Sequence, residues 1–196
     1  MDLIPIRNQA PAEYFKDLVE SALARQHVSA SEFTGYYLVN LLCAFVRPDA
    51  SGPYAGHNLP LAVRLTTAIN SNGPEQRALL RSLGDFSLFV SGFFSDSLRR
   101  RSIDVDYYVS MGEYAYGSLS RHEVDAFSDV FAELSRKFVC YTDVLADISE
   151  RTGVTTSTDL LRLYEKWLRT QSPRAAKQLV DRGIVPNASI GKKFIQ

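Results

Sequence analysis

The chain has 196 residues, of which 45% are apolar and 22% charged, and its formal charges cancel to zero. A compact domain of this length buries about 70% of its unfolded surface, so a core without metal or disulfide staples is expected. The longest apolar run, Tyr36 to Val46, has 11 residues and includes Asn40, which is too short to span a bilayer.

Helix signals follow one another along the chain. The opening residues lack a basic stretch leading into a long apolar one, so no signal peptide is expected, and the cytoplasm is the default location. Pro11 suits a helical first turn. Phe15, Leu18, Val19, Ala22 and Leu23 then keep the spacing of one helix face. Ser29 to Glu32 has the form of a capping box, in which serine caps an amide and glutamate reaches back, ahead of a helix that Pro48 stops. Residues 47–58, rich in Gly, Pro, Ser and Asp, read as a loop.

Pro60 starts a short helix ended by Ser71-Asn72-Gly73, and Pro74 starts another that runs to about Arg99. Ser102 or Asp104 caps the next. Ser120 to Glu123 forms a second capping-box pattern, opening a long helix to about Arg151 with a bend near Cys140. Gly153 ends it. Ser157 or Thr158 opens a helix through Thr170, and Ser172-Pro173 opens a last one, which Gly183 closes. No alternating, strand-like run appears. The expectation is an all-α fold: a single globular bundle of about eight helices around a central buried helix pair. Residues 1–153 would form a helical core domain, and residues 154–196 a basic helical hairpin and tail packed on it as part of one domain. Cys43 and Cys140 both fall in apolar helical stretches and read as buried free thiols.

The central pair is Leu83 to Leu98 and Val105 to Leu119, where apolar, aromatic and small residues fall on almost every side. Such helices are enclosed rather than half-exposed. On the second, Tyr108, Val109, Gly112, Tyr116 and Leu119 share a stripe. Tyr107, Met111, Tyr114 and Ala115 share another, and Asp106, Ser110, Glu113 and Gly117 a polar third. Gly92 and Gly112 would admit close backbone approach. Aromatics with a few polar groups are the composition of a small-molecule pocket. The candidate ligand-binding residues are therefore Tyr108, Tyr114, Tyr116, Asp106, Glu113 and Asp96, with His57 above them on its loop. A packed aromatic core with a solvated third stripe is the alternative. Asp106 and Glu113 stand two turns apart, about 10.5 Å, so neither a metal chelate nor a close carboxylate pair arises from them alone.

Arg99, Arg100 and Arg101 offset helix C-terminal carbonyls or hold an anion at the following helix start. His27, His57 and His122 fit no zinc or di-iron spacing, and His27 lies in a linker. No GxSxG, P-loop, dinucleotide or CxxC motif is present. No metal and no cofactor are expected, and catalysis has no motif behind it.

Charge is unevenly spread. Residues 1–150 hold 13 basic and 19 acidic side chains, a net of −6, and residues 151–196 hold 9 and 3, a net of +6. Arg162, Lys166 and Arg169, then Arg174 and Lys177, occupy the polar sides of the last two helices and are candidates for an anion or a partner. Two short helices with a tight turn superficially resemble a helix-turn-helix unit, although any helical hairpin would look similar. The function expected first is non-catalytic partner binding or self-association, with Trp167 anchoring the C-terminal hairpin. A small-molecule site, enzymatic or not, between the central helices is the alternative, and nucleic-acid binding by the C-terminal helices a further one. No membrane partner is expected.

Overall fold

The computed structural model describes residues 11–46, 59–95, 98, 105–122, 126–152, 163, 167 and 172–180. Among these the chain is all-helical. Eight helices are α1 (Pro11–Arg25), α2 (Glu32–Val46), α3 (Leu61–Asn70), α4 (Gly73–Phe93), α5 (Val105–His122), α6 (Ala126–Arg136), α7 (Phe138–Arg151) and α8 (Pro173–Val180). None of the described helices is long and apolar enough to cross a membrane.

The bundle is built around α4. From Ser82 to Phe94 every residue is buried, whichever way it points. Helices α3, α5 and α7 pack along it, α6 packs on α5, and α1 and α2 close the remaining side. Helix α5 is more amphipathic than its composition suggests. Gly112, Ala115, Tyr116, Ser118 and Leu119 are inside, whereas Asp106, Tyr107, Ser110 and Tyr114 face outward.

Glycine sets the separation of the central helices. A Cβ on Gly92 would lie 2.5 Å from Leu145 Cβ, and one on Gly84 would lie 2.7 Å from the Tyr116 ring. One on Gly112 would collide with the Phe138 ring and stand 3.1 Å from Ser87 Cβ. Both Gly92 and Gly112 thus face α7, the first seating Leu145 and the second Phe138.

Several helix ends differ from the sequence reading. The cap of α2 is Ser31 rather than Ser29: its Oγ accepts the Thr34 amide at 3.2 Å. The reciprocal carboxylate comes from Glu133 on α6, which accepts the Ser31 amide at 3.2 Å. Ser120 caps nothing, because α5 continues to His122 and the Ser120 hydroxyl bonds back to Gly117 O at 2.9 Å. The long helix expected after it is two, broken at Lys137 rather than near Cys140. No Gly or Pro marks that break. It stands where Phe138 turns inward beneath Gly112 and Lys137 Nζ donates to Ser29 O at 2.6 Å. His27 is more than a linker residue: it adopts φ +54° after α1. There Val28 N donates to Leu23 O at 3.0 Å and His27 N to Ala24 O at 3.2 Å, the bond pair of a Schellman motif. Cys43 is half-buried and Cys140 exposed, and neither forms a disulfide, so the expectation of two buried thiols fails at Cys140 and is met only in part at Cys43.

Three of the described C-terminal residues are buried. Trp167 is 1% exposed, and Ala175 and Leu179 of α8 are buried in the same cluster. As expected, Ser172 caps α8 through the Ala175 amide at 3.4 Å.

Candidate functional site

The sequence candidates of the central pair do not share one pocket. Tyr116 is wholly inside the core, and Tyr114, 46% exposed, points the other way. Tyr108 is half-buried against the core, and Glu113 is half-buried with its carbonyl accepting Ser135 Oγ at 2.9 Å. Spacing explains the divergence: Tyr114 and Tyr116 are two residues and about 200° apart on a helix. Asp96, His57, Arg99, Arg100, Arg101, Arg162, Lys166 and Arg169 lie outside the described residues. Arg174 and Lys177 stand exposed on α8.

What Tyr116 does instead is seal a buried carboxylate. Asp85, 2% exposed, accepts the Tyr116 hydroxyl at 2.7 Å and the Tyr37 hydroxyl at 2.5 Å. Arg81 Nε donates to Tyr37 Oη at 3.2 Å and lies 3.8 Å from the carboxylate, with its guanidinium over the Tyr37 ring. Burial, and then the Asp85 charge, push the Tyr37 hydroxyl well above the usual tyrosine range, so it remains a donor. Three helices, α2, α4 and α5, are tied through one carboxylate. Asp85, Tyr37 and Tyr116 are buried, and Arg81 reaches from them to the surface.

A comparable knot ties α2, α6 and α7. Glu133 accepts from Thr34 Oγ1 at 2.7 Å, Lys137 Nζ at 2.9 Å and Tyr141 Oη at 3.0 Å, besides the Ser31 amide. Burial opposes its charge, but the bonds from Thr34, Lys137 and Ser31 together outweigh it and hold the carboxyl down to about 2. Burial, and next the Glu133 charge, push the Tyr141 hydroxyl up.

The recess that reaches solvent beside the central pair lies between α4, α5 and α7 and has a volume of about 350 Å³. Ser91, Ser95 and Thr142 line its inner side, and Val105, Val109 and Val139 supply apolar edges. Four carboxylates rim it: Asp106 from α5 and Asp143, Asp147 and Glu150 from α7. Asp106 is the sequence candidate that stands in a described cavity. The other three were missed, although their spacing of four and then three residues is that of a single helix face and marks an acidic stripe.

These carboxylates are not equivalent. Asp147 accepts two-pronged hydrogen bonds from Arg25 at the end of α1, and Arg151 Nε approaches it at 3.4 Å. The Arg25 bonds hold its carboxyl below the usual range against the opposing effect of burial. Asp143 and Glu150, both exposed, form no ion pair among the described residues. Among the described residues no three His, Cys, Asp or Glu side chains are placed to hold a metal ion.

No family model matches the chain, and neither a curated protein nor a solved structure is similar to it.

Proposed function

We propose that this protein is a non-catalytic, self-associating helical protein, in which the acidic recess of one copy receives the basic face of α8 from a second. The observation that carries this reading is the charge complementarity of two described surfaces. The recess presents Asp143 and Glu150 without cationic partners among the described residues, and α8 presents Arg174 and Lys177 to solvent. The basic pair lies one turn apart and the acidic pair two turns apart on either side of Asp147, so short helices laid side by side can bring opposite charges together. Ala175 and Leu179 of α8 turn inward while Arg174 and Lys177 are exposed, where the basic pair can meet another molecule. Such a contact joins different patches on the two copies, so it builds rings or open chains rather than a two-fold dimer.

Exposed ion pairs contribute about 0.2–1 kcal/mol each and are screened at high salt, so the association is expected to be weak and salt-sensitive. Sedimentation velocity of the purified protein at about 0.05 M and 0.5 M NaCl, spanning Debye lengths from well above to well below 10 Å, should show oligomers only at the lower salt. Charge reversal gives the sharper check. The Asp143→Lys/Glu150→Lys and Arg174→Glu/Lys177→Glu variants should each sediment as monomers, and their mixture should regain a complex. A wild-type monomer at both salt concentrations, or reversed variants that still oligomerise alone, would defeat the proposal.

A further inference from the structure

Helix α3 breaks its own pattern at Arg64. The inward stripe of this helix is Leu61, Arg64 and Ala68, and an apolar side chain is the residue that such a stripe calls for at its centre. Instead a guanidinium is buried there, 7% exposed. Its Nη2 donates to Ser82 Oγ at 2.9 Å, and its carbon lies 5.1 Å from the centre of the Phe86 ring. Its Nη1 is buried with no hydrogen-bond partner. Among the described residues no carboxylate pairs with it, and burial alone lowers its pKa, to about 10. It is therefore charged at neutral pH. A buried cation without a counter-charge is among the costliest features a protein interior can carry, and a bound anion is one arrangement that would relieve both the charge and the orphaned donor.

The guanidinium is directed toward the start of its own helix. Helices α3 and α4 run antiparallel, with Gln76 Nε2 donating to Ala68 O and Arg64 reaching Ser82. Phe86 lies one turn beyond Ser82, so a guanidinium over its ring lies toward the α3 N-terminus. Pro60 stands at the cap, has no N–H and makes no side-chain cap bond of its own. The first amide to find a helical carbonyl is that of Arg64 itself, on Pro60 O at 3.0 Å. The Ala62 amide donates to the Tyr107 hydroxyl at 3.0 Å, and a hydroxyl that accepts there still has its own hydrogen to donate.

We propose that Arg64, the remaining amides of the first turn of α3 and the Tyr107 hydroxyl form a binding site for an oxyanion, the carboxylate or phosphoryl group of a small molecule. A guanidinium matches either group with paired N–H bonds, and a helix N-terminus adds its amides and the positive end of its dipole. The site stands apart from the acidic recess and is independent of self-association.

The test uses the intact chain. Melting temperature is followed in rising inorganic phosphate and, separately, rising acetate, with ionic strength held constant by NaCl. The wild type should show a rise that grows with the logarithm of anion concentration above the dissociation constant, about 5–10 °C at a hundred times that constant. The anion that raises the melting temperature at the lower concentration identifies the group as phosphoryl or carboxylate. Arg64→Met, which keeps the volume and removes the charge, should lose the rise. Tyr107→Phe alters a ring that is 37% exposed, so it should fold, and it should need about ten times more anion for the same effect. No such rise in the wild type overturns the site, as does an equal rise in Arg64→Met, which would report general salting-out. Should Arg64→Met fail to fold, an unchanged concentration for the same rise in Tyr107→Phe overturns it equally.

Discussion

Gly35 and Gly112 both interrupt a helix, and their surroundings give them opposite meanings. A Cβ on Gly35 would meet nothing within 4 Å, whereas one on Gly112 would strike the Phe138 ring. Glycine in a helix interior costs about 0.5–1 kcal/mol relative to alanine. Gly35→Ala is therefore expected to stabilise the protein by about that amount, raising the melting temperature by roughly 2–4 °C. Gly112→Ala has the same backbone benefit but forces apart α5 and α7, and overpacking of this kind costs about 1–3 kcal/mol. Its melting temperature should fall below that of the wild type. Differential scanning calorimetry of the two variants measures both, and a Gly112→Ala protein as stable as Gly35→Ala would contradict the close approach. The need for a small residue at Gly92 and Gly112 is legible in the sequence, but the partners are not: both face α7, and Gly112 also lies against Ser87 of α4. Gly112 and Phe138 are 26 residues apart and Gly92 and Leu145 are 53 apart, and spacing within a helix cannot reveal such contacts.

At the scale of elements, the knot at Glu133 does what local capping was expected to do. The α2 cap is completed by a carboxylate 102 residues away. The serine-x-x-glutamate pattern at Ser29 was legible and its register was wrong, because Glu133 takes the role that Glu32 would have filled. The break at Lys137 is illegible for the same kind of reason: it carries no Gly or Pro and is imposed by the burial of Phe138. A pH prediction follows from the knot. The Glu133 carboxyl titrates near 2 when folded and near 4.3 in an unfolded chain. A depressed folded value means that the charged form stabilises the native state. That contribution is whole above about pH 4.3 and is lost as pH falls toward 2. For a buried carboxylate the loss is on the order of 2–3 kcal/mol. Urea unfolding at stepped pH should show stability declining across this window in the wild type. Glu133→Gln should be less stable at pH 6 and should lack most of that decline. A variant with the same pH slope as the wild type would assign the acid sensitivity elsewhere, for instance to Asp147, whose carboxyl is also held low by Arg25.

At the scale of the whole molecule, the sequence conveys class better than arrangement. Helix class, Pro60 and Pro74 as helix starts, Ser172 as a cap and the enclosure of α4 were all readable from local pattern. The grouping of Tyr108, Tyr114 and Tyr116 into one pocket was not, because composition counts aromatics without fixing which way each turns. The acidic stripe of α7 was readable and lay unread, since its significance depends on α4 and α5 forming the opposite wall. The chain has a built-in reporter for its C-terminal region. Trp167 is the single tryptophan, and it is 1% exposed within the same core cluster as α1 to α7. If residues near Trp167 fold as one unit with the bundle, tryptophan fluorescence reports the same event as loss of helical circular dichroism. In guanidinium chloride the two signals should then trace one transition with a common midpoint and a common slope, as two-state unfolding of a single domain requires. A fluorescence change completed at lower denaturant than the helical signal would instead mark the C-terminal helices as a separable unit. Trp167→Phe should lower the common midpoint, because the smaller ring leaves a void where surrounding side chains lose packing contacts.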